Sequence, residues 1–285
     1  MNNLLSQLLR KAPDHIFFNR PISAALGFRY AYSDKHRLFE ARSSLNYHKS
    51  YHKDPRVFVY VPTYNRCEYL LERSLPSILR QTYKNISVLV VDDGSTDNTK
   101  QAIEKAYGSR IKVVTCERKR YRYPNKSFYH WLAGPVEAAN IALAKCDGDW
   151  IARLDDDDEW HENHIESNLT FALQNKLEFV SSQYQVIPSD GDAYVVGADE
   201  KTQIGGTQTW LYHGALNKIR YNINCWRKSH NRVNDTDLQY RLYQAGTFIG
   251  FNNTTTCTIR PRKGELFVGS KAYIANPAKY EAFYQ

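Results

Sequence analysis

Three short apolar runs constrain this chain more than any other feature: 57–61 (VFVYV), 86–91 (ISVLVV) and 150–154 (WIARL). Short segments this rich in apolar and β-branched residues read as buried strands. Between the first two, 67–83 places Leu70, Leu71, Leu75, Ile78 and Leu79 at helical spacing. A helix over 97–106 and a strand over 111–114 follow, so strands alternate with helices as parallel βαβ units require. The stretch 116–131 (CERKRYRYPNKSFYHW) breaks the rhythm and reads as a basic, aromatic loop. Beyond it come an Ala-rich helix over 134–146, a helix over 162–174, and strands over 177–186 and 193–196 around a turn at Ser189-Asp190-Gly191. A late helix over 235–245, closed by Gly246, and a strand over 247–251 complete the pattern.

The acids fall at strand ends. Asp92 and Asp93 close one buried strand, and Asp155 to Asp158 close another. Ligands of an open parallel sheet bind beyond the carboxyl ends of its strands, so both clusters should face one crevice. Packed carboxylates repel one another unless a cation neutralises them. A hard divalent ion, Mg²⁺ or Mn²⁺, shared with substrate phosphates, fits that need. One acid here, Asp158, could instead cap the helix that follows Trp160, but capping needs only one. A calcium loop fits less well, because no Gly stands at its sixth position.

Four segments then occur in the order seen in family 2 glycosyltransferases: Pro62-Thr63-Tyr64-Asn65-Arg66, Asp92 to Asp97, Gly134 with Ala138 to Asn140, and Leu154 to Trp160. The chain resembles that family over roughly 56–251. The resemblance implies an α/β chain of the GT-A fold, a Rossmann-like, mostly parallel central sheet flanked by helices and joined to an acceptor-binding half. It implies an inverting, metal-dependent transfer from a nucleotide-sugar donor, by family habit a UDP-sugar, to a saccharide or glycolipid acceptor in surface polysaccharide or glycan synthesis. By the same resemblance Pro62 to Arg66 would contact the nucleotide, with Thr63 and Tyr64 at the base. Asp92 or Asp93 would bond the base or ribose, and Asn140 and Asp156 would belong to the nucleotide site. Asp155 would reach the ribose or metal, and Asp157 the ion bridging the phosphates.

The family's catalytic base is the Asp of a Glu-Asp pair opening a late helix; here Asn234-Asp235 stands there, followed by Arg241. Asp235 is the candidate base and Asp237 the fallback, with Asn234 beside the acceptor or donor sugar. Ala139 stands where the family often has Arg, so Arg118 to Lys126, or Arg260, Arg262 and Lys263, would supply a phosphate contact. Trp210, Tyr212 and His213 (WLYHGAL) lie where acceptor contacts are built, and Trp210 and His213 are expected to touch a sugar; a packed helix is the alternative.

Composition bears on the partners. The formal charge is +8 and five cysteines lie far apart without a CxxC pair, which fits free thiols in a reducing compartment. No stretch approaches the roughly 20 apolar residues of a membrane-crossing helix, so a cytoplasmic protein is expected, with peripheral contact at the inner membrane face. Residues 1–55 form an N-terminal extension in which Leu4, Leu5, Leu8 and Leu9 share one face of a short helix ended by Pro13, packed on the main domain or lying on a membrane. The catalytic domain is expected over 56–252, with a nucleotide half at 56–158 and an acceptor half at 159–252, and a tail over 253–285. Two other classes compete: a metal-dependent nucleotidyltransferase, which would want a Gly-rich basic phosphate loop absent here, and a nucleic-acid binder using KRYRY. No RRM or zinc-finger signature accompanies that segment, so nucleic acid is not an expected partner.

Overall fold

Alternate residues of one strand set up the whole architecture. In β1 (Val57–Thr63) every residue is buried. Val57, Val59 and Val61 pack into one apolar cluster, and Phe58 and Tyr60 into another on the opposite face. A strand's side chains alternate between faces, so a strand covered on both sides must be apolar throughout. This computed structural model describes residues 20–118, 123–124, 127–227 and 233–284. The expected Leu4–Leu9 helix and most of the Arg118 to Lys126 loop lie outside them.

In chain order the elements begin with helices α1 (Arg20–Arg42) and α2 (Leu45–Lys49), then β1. The next helix is built in three parts, α3 (Cys67–Tyr69), a π-helical stretch (Leu70–Ser74) and α4 (Leu75–Leu79). Then come β2 (Ile86–Asp92), α5 (Thr99–Tyr107), β3 (Lys112–Thr115), α6 (His130–Ala133), α7 (Val136–Ala144), β4 (Trp150–Arg153) and β5 (Glu159–Trp160). The second half holds α8 (His164–Asn175), β6 (Phe179–Val186), β7 (Tyr194–Val196), β8 (Leu211–His213), α9 (Asn234–Ala245), β9 (Ile249–Ile259), α10 (Gly269–Ala275) and α11 (Pro277–Tyr284).

The strands form one sheet in the order β3-β2-β1-β4-β8-β6-β9-β5, with β7 paired to β6. Strands β1 to β4 are mutually parallel, whereas β8 runs antiparallel to both β4 and β6. On one face α7 and α9 supply Val136, Ala142, Leu238 and Leu242; on the other α4, α5 and α8 supply Leu75, Ile78, Ile103, Ile165 and Leu169. The sheet thus reverses its winding between β1 and β4, which opens a crevice at their carboxyl ends.

Several elements differ from expectation. Strand β9 extends well beyond 251 and runs through the domain boundary expected at 252. In the WLYHGAL segment Trp210 precedes a three-residue strand, Leu211–His213, and a 3-10 turn, Gly214–Lys218, follows it in place of a packed α-helix. Residues 159–160 form β5, so Asp158 does not cap α8, whose N-cap position is Asn163. The N-terminal extension carries a 23-residue helix, α1, tied to α9 by a fork from Arg241 to Asp34 at 2.7 and 3.1 Å. Among the described residues no helix is long and apolar enough to cross a membrane.

Candidate active site

Register brings the acid clusters together. Thr63 pairs with Asp92 across β1 and β2, and Tyr60 with Arg153 across β1 and β4. The residues after all three strands therefore emerge at one sheet edge. There a cleft of about 540 Å³ is lined by Pro62, Thr63, Tyr64, Arg66, Asp93, Asp155, Asp156, Asp157 and Asp158. Asn234 and Asp235, opening α9 from the other half, line the same cleft. Asp93 and Asp157 thus face one space.

Guanidinium groups hold most of these acids. Arg153 forks onto Asp155 Oδ1 at 3.1 and 2.8 Å. Arg66 reaches Asp156 and Asp157, both at 3.2 Å, and Arg262 donates to Asp157 Oδ2 at 2.8 Å. Arg118 pairs with Asp93. Burial pushes Asp156 up to about 6 against the opposing pull of Arg66. At Asp157 burial works upward too, but Arg66 and Arg262 outweigh it and hold the carboxyl below its usual range. Asp158, buried beside Asp157 and Asp155, is pushed well above that range. Asp235 is placed by hydrogen bonds: Thr207 Oγ1 donates to Oδ2 at 2.8 Å and the Thr236 N–H to Oδ1 at 2.7 Å. The Thr236 hydroxyl also reaches Oδ1, at 3.5 Å, so Oδ2 is the oxygen that keeps a lone pair for an incoming proton.

Other expected residues hold the frame. Asn65, at φ 50, receives the Thr96 N–H on its side chain and donates its own N–H to Ser95, joining the β1 and β2 turns. Asp92 accepts from the Ser95 N–H at 2.8 Å and so shapes the turn in which Gly94 has φ +78. Asn140 bonds both backbone groups of Tyr221. Three expectations are corrected. Trp210 is 1% exposed and donates to the Gly205 carbonyl inside the core. His213 is fully buried on β8, with Nε2 on the Tyr47 carbonyl and its ring against Tyr47 and Tyr51. Asp237 is buried against Arg241 rather than open to the cleft. Arg260 and Arg262 reach the cleft, whereas Lys263 does not line it.

Sequence reasoning missed Arg118 as an individual residue and the aromatic residues beyond β9. Tyr273, Phe283 and Tyr284 line the cleft together with Trp131. Arg118 stood inside a basic run that gave it no distinguishing signal, and the tail aromatics carry no motif. Buried polar atoms in the cleft await partners: among the described residues none reaches Arg118 Nε or Nη2, Trp131 Nε1 or Asn234 Oδ1.

The donor chemistry of the acid run suits a hard cation. No three His, Cys, Asp or Glu side chains converge as a metal site among the described residues. An ion shared with a diphosphate, however, needs only one or two protein carboxylates. Asp155 and Asp157 place two carboxylates on the wall of this cleft.

The model of the family described as "Glycosyl transferase family 2" matches residues 58–127 and 130–249. A UDP-Glc:alpha-D-GlcNAc-diphosphoundecaprenol beta-1,3-glucosyltransferase, WfgD of Escherichia coli, is 35% identical over 134 residues, 47% of this chain and 47% of that protein. A chondroitin synthase of Pasteurella multocida is 34% identical over 147 residues, 51% of this chain and 14% of that one. The matched stretch thus spans about half of WfgD and less of the chondroitin synthase. Among solved structures, S. aureus TarS 1-349 with UDP superposes at a TM-score of 0.57 with 20% identity, covering 80% of this chain and 64% of that one. Mannosyltransferase PcManGT of Pyrobaculum calidifontis, with GDP-Man and Mn2+, gives 0.56 and 19%, covering 83% and 69%. At that identity the likeness is one of fold, a curled mixed sheet flanked by helices.

Proposed function

The chain belongs to glycosyl transferase family 2, and from that premise we propose an inverting, metal-dependent transfer of a sugar from a UDP-sugar to a hydroxyl of a saccharide or glycolipid acceptor, in surface polysaccharide synthesis. The single observation that carries this reading is the meeting of Asp93, Asp155, Asp157 and Asp235 around one cleft, from opposite halves of the sheet. The names of WfgD and TarS with UDP point the same way for the donor, and the diphosphoundecaprenol of WfgD for a lipid-linked acceptor. We retain 56–158 as the nucleotide half and 159–252 as the acceptor half in this proposal.

In the mechanism, Tyr64 and Thr63 border the base, and Asp93 faces the nucleoside. Asp155 and Asp157 would hold a Mg²⁺ or Mn²⁺ ion, which when bound offsets the charge growing on the leaving diphosphate. Arg66 and Arg262, released from Asp157, supply further positive charge to the phosphates. Asp235 takes the proton from the acceptor hydroxyl as that oxygen attacks the anomeric carbon. Thr207 and the Thr236 N–H fix its carboxylate, so no rotamer search precedes the transfer. Asn234, with Oδ1 free and buried, stands beside the base to receive a sugar hydroxyl.

A cytoplasmic protein touching the inner membrane face belongs to the same proposal. Phe28, Tyr32 and Phe39 are 76%, 69% and 71% exposed along one side of α1, interleaved with Arg29 and Lys35. Aromatic and basic residues sharing a helix face suit an anionic lipid surface. The test of function is turnover of UDP-sugars with Mn²⁺ and a saccharide acceptor, followed by product mass and leaving group. Release of UDP with a sugar-sized mass gain on the acceptor is expected. Release of inorganic diphosphate instead would move the chain to nucleotidyl transfer.

A further inference from the structure

The nucleotide half of the cleft is filled by the chain's own last described helix. The Tyr284 ring lies parallel to Tyr64, 5° between planes and 6.2 Å between centroids. The Arg118 guanidinium sits 4.3 Å from the Tyr64 centroid, 4.2 Å from that of Tyr123 and 5.4 Å from that of Tyr284. Phe283 meets Tyr64 edge-on and lies under Arg66, which also donates to the Tyr273 hydroxyl at 3.3 Å. Tyr273 in turn stacks on Trp131 at 5.0 Å and 9°. A planar, aromatic and cationic slot of this kind is what a nucleobase seeks, since every base has a π-face and carbonyl acceptors. Among the described residues no acceptor meets Arg118 Nε–H or Nη2–H, although the side chain is only 7% exposed. Phenol rings fill the slot by shape and leave those two donors unmet.

The tail is also detachable. None of the three apolar clusters of the described residues includes a residue beyond Cys257. Most of the outward residues of α11 are exposed, and it holds on chiefly through Tyr280, Phe283 and Tyr284. Removing it costs ring stacking, cation–π contacts and the bonds of Tyr280 and Lys279 to Glu265 and of Arg262 to Tyr280, while the three apolar clusters stay whole.

We propose that Tyr284, set against Tyr64 and Arg118, is an intramolecular occupant of the donor's base position, so that donor and tail bind in exchange. The inference rests on the reading of this cleft as a donor site and adds a self-competing segment to it. If the tail occupies the slot nine-tenths of the time, the apparent donor affinity is lowered about ten-fold.

The experiment is calorimetric titration of UDP, and separately GDP, into the full chain with Mn²⁺, for wild type and Tyr284→Ala, with amide exchange followed over 277–284. We expect nucleotide to speed exchange in that helix and Tyr284→Ala to tighten binding about ten-fold. Nucleotide binding with unchanged exchange and unchanged affinity in Tyr284→Ala would overturn the exchange of tail and donor. So would slower exchange together with weaker binding by Tyr284→Ala, which would make the tail a clamp that closes on the nucleotide. Failure of both wild type and Tyr284→Ala to bind either nucleotide would overturn the donor-site reading itself.

Discussion

Asp235 receives the Thr207 hydroxyl on Oδ2 and the Thr236 N–H and hydroxyl on Oδ1, and these neutral donors separate it from the other acids of the cleft, most of which are gripped by arginine. A carboxylate gripped by a guanidinium has its lone pairs taken up by N–H donors, whereas Asp235 Oδ2, with the Thr207 hydroxyl on it, keeps one open to an incoming hydroxyl. Asp235→Asn should therefore lower kcat by about 10²- to 10⁴-fold while nucleotide affinity, read by calorimetry, stays as in wild type. Thr207→Val removes the hydroxyl that fixes Oδ2. Hydrogen bonds to charged groups are worth about 1.5–3 kcal/mol, so kcat should fall roughly 10- to 100-fold with KM little changed, and Thr207→Ser should restore it. At this scale the sequence was legible where a motif stood at a strand end. Trp210 and His213 misled because an aromatic beside a histidine reads the same in a core as in a cleft. Strand β8, at three residues, is too short to show the alternation that separates the two.

Two elements carry charges whose burial has consequences for stability. Helix α1 meets α9 through Asp34, fully buried, and Arg241, 5% exposed. Removing one partner of a buried ion pair leaves the other uncompensated and typically costs 3–5 kcal/mol. Arg241 also meets the buried Asp237 at 3.4 Å, so Asp34→Ala should lose less than that in urea unfolding, whereas Arg241→Met, which strips both carboxylates of its guanidinium, should lose more. At the start of α8, His164 is stacked on Trp160, with Nδ1 2.7 Å from Thr256 Oγ1, and burial pushes its pKa down to about 3. Unfolded, the ring takes up a proton near pH 6.5; folded, it does so only near 3. Between those values the unfolded state binds more protons, so stability falls with acidification by roughly 1.4 kcal/mol per pH unit. Thermal melts from pH 7 to 4 should show His164→Asn with a shallower decline than wild type; parallel curves would place the acid sensitivity elsewhere. The apolar strands β1, β2 and β4 were readable because periodicity and burial coincide in them. Helix α1 was not, since its anchor is an ion pair and its outward face mixes aromatic and basic residues instead of presenting an apolar stripe.

For the whole molecule, one sheet winds in two directions from β1 and β4, and this single topological fact gathers acids from distant parts of the chain. The family and the fold could be read from four short segments in order. The tail could not, because residues beyond β9 enter the cleft through ring stacking, which leaves no periodic trace. The central claim is that these converging carboxylates take up a cation together with a nucleoside diphosphate. Calorimetric titration of UDP with Mn²⁺ and then with EDTA, on wild type and Asp157→Ala, tests it most directly. Uptake that needs Mn²⁺ and is lost in Asp157→Ala is the predicted result; equal UDP affinity with and without Mn²⁺, or undiminished metal-linked uptake by Asp157→Ala, would contradict it.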